Sequence, residues 1–312
     1  MTINPKADQF SATDQTPRLD VLDYYLGPTR RMRICDVGAN PLGDPPYKPL
    51  LDAHICDLYG FEPHEGAFAK LQAMKSEAET YFPNAIGKEG DRTLHVHPKS
   101  GFTSLHPFDA RALGQLGKQK WMEPRRPIEM VPLRTIGLDQ VDGLPGIDVL
   151  KMDLQGAEAE VIETGAEALS ETVAIVTEVR FHRIYEDELV FGDLDALLRA
   201  HGFKLHKFLF TKSVMLPHAH EEQVHRGAMT SQLLDGDAVY IRDVAGPEEL
   251  NDNQLAYLAF AADTMFDSPD LTLQALGTLA GRGQVAEDAG PAYVRSLEPR
   301  RHARHPRRRG AA

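Results

Sequence analysis

The stretch Met32-Arg33-Ile34-Cys35, running into Asp36-Val37-Gly38-Ala39-Asn40, constrains the fold more than any other feature of the chain. An apolar run that ends on an acid, a glycine and a small residue reads as a buried strand and the first turn of a nucleotide-type cofactor site. A second run, Cys56-Asp57-Leu58-Tyr59-Gly60-Phe61, ends on Glu62. That spacing lets its carboxylate reach a ribose whose cofactor lies over the first tip. Ligands of open α/β sheets sit at the carboxyl ends of strands, where the strand order switches.

Further buried-strand runs occur at 148–152, 173–179 and 203–210, with a last one at 238–241. Between them, 65–76, 157–165 and 194–201 carry helical patterns; Ala67, Phe68, Leu71 and Met74 share one face of the first. This alternation predicts an α/β fold, a doubly wound and mostly parallel sheet with both faces covered. Thr93-Leu94-His95-Val96-His97 alternates polar with apolar and predicts an edge strand or hairpin arm. Residues 107–126, with Trp121 and a basic cluster, are a candidate lid.

The expected core domain spans 28–245, after a loose lead-in at 1–27 with one helical turn. Residues 246–297 place Leu255, Leu258, Ala259 and Ala262 at helix spacing and predict a helical appendage. The tail at 298–312 carries six arginines between Arg300 and Arg309, a composition expected to be disordered.

A net charge of -12 argues against nucleic acid as the partner. No stretch approaches the roughly 20 apolar residues of a membrane span. Met1 to Asp20 is polar, unlike a secretory signal, so a cytoplasmic protein is expected. Cys35 and Cys56 are expected to pack as small hydrophobes in a reducing compartment. His218, His220 and His225 lack the cysteine or carboxylate framework of a metal site, and no metal is expected.

The chain has no G-x-G-x-x-G, and Asn40-Pro41-Leu42-Gly43 stands where a glycine-rich turn would hold a pyrophosphate. No Tyr-x-x-x-Lys falls at a plausible position, which further weakens an NAD-dependent oxidoreductase. A cofactor without phosphates fits better. S-adenosylmethionine is one: an adenosine with an amino-acid arm and a cationic sulfonium. A third strand, Leu150-Lys151-Met152, ends on Asp153 and leads through Leu154-Gln155-Gly156 into a helix that opens with Ala157-Glu158. Three acidic strand tips, Asp36, Glu62 and Asp153, converging on one crevice suit a cation rather than a phosphate.

Taken in order, the runs at 36–40, 60–63, 85–87, 103–105, 131–135 and 150–158 resemble the signature of FkbM-type methyltransferases, over roughly residues 30–242. The resemblance implies a class I, Rossmann-like S-adenosylmethionine-dependent fold whose last strand, at 237–242, enters antiparallel. It implies O-methylation of a hydroxyl on a small-molecule or glycan acceptor. It also implies roles: Asp36, Gly38 and Asn40 at the amino-acid arm, Glu62 on the ribose, Ala85 and Ile86 under the adenine, Ser104 beside the cofactor, and Asp153 next to the methyl group. Methyl transfer to an alcohol needs positioning and a base for the hydroxyl proton. Glu178, ending the next strand, and His182 behind it are the candidates, completing a catalytic set with Asp153.

The family commonly has a glycine two positions after the asparagine of its first motif. Here it is delayed to Gly43, and Pro45-Pro46-Tyr47-Lys48 follows, so the loop beside the methionine arm is expected to be shaped differently. That departure leaves open a catalytically silent member that binds cofactor or glycan as an interaction module.

Overall fold

The computed structural model describes residues 17–39 and 45–298. Asn40 to Asp44, the N-terminal stretch to Thr16 and the basic tail from Pro299 lie outside the described residues. The chain divides into two compact units, one of residues 31–245 and one formed from the segments on either side of it.

In chain order the elements are α1 (Arg18–Tyr25), β1 (Met32–Val37), α2 (Lys48–Asp52), β2 (Cys56–Phe61), α3 (Glu65–Met74), β3 (Glu79–Phe82), β4 (Ala85–Ile86), β5 (Gly90–Val96), α4 (Ala110–Gln115) and β6 (Glu129–Ile136). There follow β7 (Val149–Met152), α5 (Glu158–Glu163), β8 (Ala174–Arg180), α6 (Phe191–Ala200), β9 (Phe203–Val214), β10 (Gln232–Arg242), α7 (Asp252–Thr264), α8 (Pro269–Gly281) and α9 (Ala289–Ser296).

Seven strands form one sheet in the order β3-β2-β1-β7-β8-β10-β9. The pairs from β3 through β8 are parallel, and β10 runs antiparallel to both β8 and β9. The chain begins at β1, works outward to β3, then crosses to β7 on the other flank. The order therefore switches between β1 and β7, where a ligand crevice is expected. Register keeps the tips level: Asp36 pairs with Gly60 on one side and with Lys151 on the other. Met32, Ile34, Cys35 and Val37 are buried, the pattern of a central strand covered on both faces. Leu150, Met152, Ile175, Val179, Phe203 and Tyr240 continue the same core. Both cysteines are buried free thiols, and burial pushes Cys56 up to about 12.

A small sheet of order β4-β6-β5 sits between β3 and β7 in the sequence, its β5–β6 pair antiparallel and joined through the segment that carries α4. The expected edge strand or hairpin arm at 93–97 is, up to Val96, the end of β5, an edge strand of this sheet. The segment expected as a lid is a packed layer instead. Its Leu113 and Leu116 share a buried cluster with Ile184, Tyr185, Val214 and Leu234, against which Phe108 and Trp121 pack. Apolar burial on this scale holds the segment as structure, not as loose cover.

The other unit is helical. Its α1 packs against α7 and α9, so part of the expected lead-in is a formed helix. Arg18 pairs with buried Asp263 at 3.1 Å, and the Tyr293 hydroxyl donates to the same carboxylate at 2.6 Å. Asn251 caps α7, its side chain accepting the Gln254 amide while Gln254 returns the bond. Among the described residues no helix is long and apolar enough to cross a membrane.

Candidate active site

A cavity of about 800 Å³ opens at the carboxyl tips of β1, β2 and β7. Asp36, Gly38, Glu62, Ala85, Ile86, Ser104 and Asp153 all line it. Asn40, expected beside them, lies outside the described residues. Glu178 and His182 are not among the lining residues.

The first tip is fixed by backbone. The amides of Gly38 and Ala39 both donate to the Phe61 carbonyl, at 3.2 and 2.9 Å. Gly38 has φ of +90°, and a Cβ there would collide with the Asp153 carbonyl oxygen. Only glycine meets both demands, the left-handed conformation and the close approach of β7's exit.

Asp36 is 2% exposed and holds two donors, the Tyr47 hydroxyl at 2.6 Å and Lys151 Nζ at 2.9 Å. Neither partner is evident from the first motif alone. Burial pulls the Lys151 ammonium down most strongly, but Asp36, with Asp153 and Asp237 behind it, leaves the group above its ordinary value. The pair is therefore an ion pair at the cavity wall. A lysine inside the apolar run of a central strand is itself a sequence signal, because lysine is almost never buried without a partner.

Glu62 is 8% exposed. Its Oε1 accepts the His64 amide at 2.7 Å, while Oε2 takes no hydrogen bond among the described residues. Burial raises its pKa, against the pull of the His64 amide. An open carboxylate oxygen facing a cavity can accept a hydroxyl pair.

The exit of β7 is the most tightly built part. Gln155 adopts φ of +54°, rare for a non-glycine residue, and Gly156 follows at +108°. Glu158 clamps this turn by accepting the amides of Leu154 and Gly156, at 2.8 and 3.0 Å. Its burial outweighs those amides and pushes the carboxyl up to about 7. The Gln155 side-chain amide donates to Asp153 at 2.9 Å and to Glu178 at 2.8 Å. Its carbonyl oxygen accepts from Arg180 and from the Tyr185 hydroxyl, each at 3.2 Å. The Ser104 hydroxyl donates to the Gln155 backbone carbonyl at 2.6 Å. Gln155 was not expected from sequence, yet it joins Ser104, Asp153 and Glu178.

Glu178 belongs to a closed network. Arg180, 4% exposed, reaches Glu178 at 2.7 Å, Glu188 at 2.9 Å and Asp235 at 3.0 Å. Burial holds the Glu178 carboxyl well above its ordinary value despite the neighbouring guanidinium. Among the described residues, Glu178 is hydrogen-bonded to the cavity lining through Gln155. The Nδ1 of His182 lies 2.9 Å from the Arg183 carbonyl.

The strand order, with its antiparallel β10 and its acid-tipped crevice at the switch between β1 and β7, is that of a class I S-adenosylmethionine-dependent methyltransferase. Residues 36–205 match the methyltransferase FkbM domain family, and the chain belongs to it. A curated relative, 2-O-methyltransferase NoeI of Sinorhizobium fredii (strain NBRC 101917 / NGR234), is 29% identical over 163 residues, covering 50% of this chain and 66% of that protein. The chain therefore spans just under two thirds of that relative's length.

Among solved structures, magnesium protoporphyrin IX methyltransferase (ChlM) from Synechocystis PCC 6803 with bound SAM gives a TM-score of 0.36 at 11% identity, covering 68% of this chain and 71% of that one. An S-adenosylmethionine dependent methyltransferase from Mesorhizobium loti gives 0.35 at 12% identity, covering 73% and 99%. At such low scores the fold assignment rests on the strand order itself.

The residues present fit S-adenosylmethionine. Asp36 and Lys151 set opposite charges side by side, complementary to a zwitterionic amino-acid arm. Glu62 offers an open oxygen for a ribose diol, and Ala85 and Ile86 give an apolar wall for a base.

Proposed function

We propose that the chain methylates a hydroxyl of a small polyhydroxylated acceptor, a sugar or a glycan end, using S-adenosylmethionine held in this cavity. The observation that carries the reading is one cavity lined by Asp36, Glu62 and Asp153 at a switch point, in a chain whose sequence has no G-x-G-x-x-G. The cofactor supplies a methyl group on a positive sulfonium; its transfer forms a C–O bond, breaks a C–S bond, and releases S-adenosylhomocysteine and one proton. The protein's own part is to hold the arm at Asp36 and Lys151 and the ribose at Glu62. Asp153, fixed by Gln155, is the carboxylate at the acceptor end. Glu178 is a positioning residue that acts on Asp153 through the shared Gln155 amide. The relative named as a 2-O-methyltransferase supports a hydroxyl as the acceptor group.

Calorimetric titration with S-adenosylhomocysteine, with NAD in parallel, tests the reading. Micromolar binding of the first alone is the expected result. Binding of NAD instead would overturn it, and silence toward both would favour an interaction module without cofactor.

A further inference from the structure

Three carboxyl groups stand in one row across β7, β8 and β10, at the edge of the sheet where the cavity opens. Met152 pairs with Thr177, which puts Asp153 level with Glu178, and Glu178 pairs in turn with Asp237. The middle member is closed off by Arg180 and the Gln155 amide. Asp153 lines the cavity. Asp237 is half-buried, yet it takes no hydrogen bond or ion pair among the described residues. A half-buried carboxylate left open in this way needs a reason.

The alternation of the strands shows where Asp237 stands. Ala238 and Tyr240 enter the core together with Leu150, Met152, Cys35 and Val37. Asp237, Lys151 and Asp36 therefore share the opposite face of the sheet, the face on which the Asp36–Lys151 pair walls the cavity. Phe210, paired with Asp237 on β9, is on this face too and is 52% exposed. The register slips just there. Phe210 pairs with Asp237 but Phe208 with Ala238, so β9 carries Leu209 as an extra residue. Bulges of this kind re-aim side chains and recur beside active sites.

The electrostatics agree with the geometry. Burial first, then Asp153 and more weakly Asp235, push the Asp237 carboxyl up to about 6, against the pull of Lys151. Its strongest partners are thus the two cavity residues of β7. At pH 7 such a group is mostly ionised and still has appreciable affinity for a proton, the compromise a general base needs.

We propose that Asp237 takes the proton of the acceptor hydroxyl, with the Phe210 ring as the surface on which the acceptor lies. The proposal rests on the methyltransferase reading above. As the hydroxyl oxygen forms its C–O bond, the C–S bond breaks with its electron pair going to sulfur. The hydroxyl proton passes to the Asp237 carboxylate and from there to solvent.

Calorimetry of the full chain at pH 6, in buffers of different ionisation enthalpy, counts the protons exchanged with S-adenosylmethionine and with S-adenosylhomocysteine. A sulfonium beside Asp237 disfavours its protonated form. Wild type is therefore expected to release up to about half a proton more with the cation than with the neutral thioether. Asp237→Asn should abolish that difference and keep its affinity for S-adenosylhomocysteine. Its urea midpoint should hold or rise, because burial already disfavours the charge. At pH 7, transfer of a radiolabelled methyl group into a glycan and metabolite extract should fall about 100-fold in Asp237→Asn, the scale of a general base, and recover in part toward pH 9. Phe210→Ala should lower it about fivefold, roughly one ring contact, with the proton release intact. Equal proton release with both ligands in wild type, or transfer unchanged in Asp237→Asn, would overturn the assignment and leave the cofactor reading standing. Failure of wild type to bind S-adenosylhomocysteine would overturn the cofactor reading itself.

Discussion

Two groups of acids gather at the same edge of the seven-stranded sheet and meet opposite fates. At the tips of β1, β2 and β7, Asp36, Glu62 and Asp153 face a cavity. At the end of β8 and the start of β10, Glu178 and Asp235, joined by Glu188, close around one buried arginine. An acidic strand tip is therefore not a ligand site by itself. What separates the groups is one shared cation: Arg180 draws Glu178, Glu188 and Asp235 together, whereas Asp36 is paired separately with Lys151 and Glu62 keeps an oxygen open, so the first set still lines a cavity. Gln155 belongs to both, donating to Asp153 on the open side and to Glu178 on the closed side.

The largest expected effect breaks the closed set. Arg180→Met leaves Glu178, Glu188 and Asp235 buried without their cation, and removing one partner of a buried ion network costs about 3–5 kcal/mol. Lys212 reaches Asp235 at 3.2 Å from the surface and touches only that acid. Urea unfolding measures the loss; a change below about 1 kcal/mol would erase the distinction between the two groups.

Glu158 sets the next effect, on stability against pH. Its folded pKa of about 7 lies above the ordinary 4.5. The native state therefore binds the proton more readily than the unfolded chain. Its contribution is fully present below about 4.5 and is lost as pH rises through about 7, a span worth roughly 3 kcal/mol. Glu158→Gln should flatten that part of the profile, read by urea unfolding at pH 5 and pH 8. An unchanged slope would mean that the turn holding Gln155 is not tied to this proton.

Much of this was legible in the sequence, for one physical reason. Strands buried on both faces must be continuously apolar, so β1 and β2 coincide with the expected runs 32–37 and 56–61. The strand β6 offers no such signal: it is largely exposed, contains Pro132 and is held by pairing with β5. Pro132 is tolerated because β4 pairs only as far as Thr135 and Ile136, leaving the rest of β6 an edge. The same contrast governs the site. Asp36, Gly38, Glu62 and Asp153 announce themselves as strand tips. Tyr47, Gln155 and Tyr185 act through partners distant in sequence or through a turn geometry that composition does not encode. Lys151 and Arg180 left a trace that went unused, a full charge inside a buried strand.

Within the open set, Asp36 and Glu62 should separate by their wiring. Asp36→Ala strips Lys151 of its counter-ion and Tyr47 of its acceptor. Affinity for S-adenosylhomocysteine should fall about 100-fold, the scale of one charge-assisted bond plus a disordered wall, accompanied by a loss of stability. Glu62→Gln has a smaller and cleaner consequence. It keeps the shape and leaves an oxygen for the His64 amide, but weakens the charge-assisted bonds a diol would make to the carboxylate. Affinity should drop about tenfold. Stability should hold or rise, because burial already disfavours the Glu62 charge. Calorimetry and urea unfolding on the same samples separate the two results. A Glu62→Gln protein that loses stability and keeps its affinity would move Glu62 from the open set to the closed one.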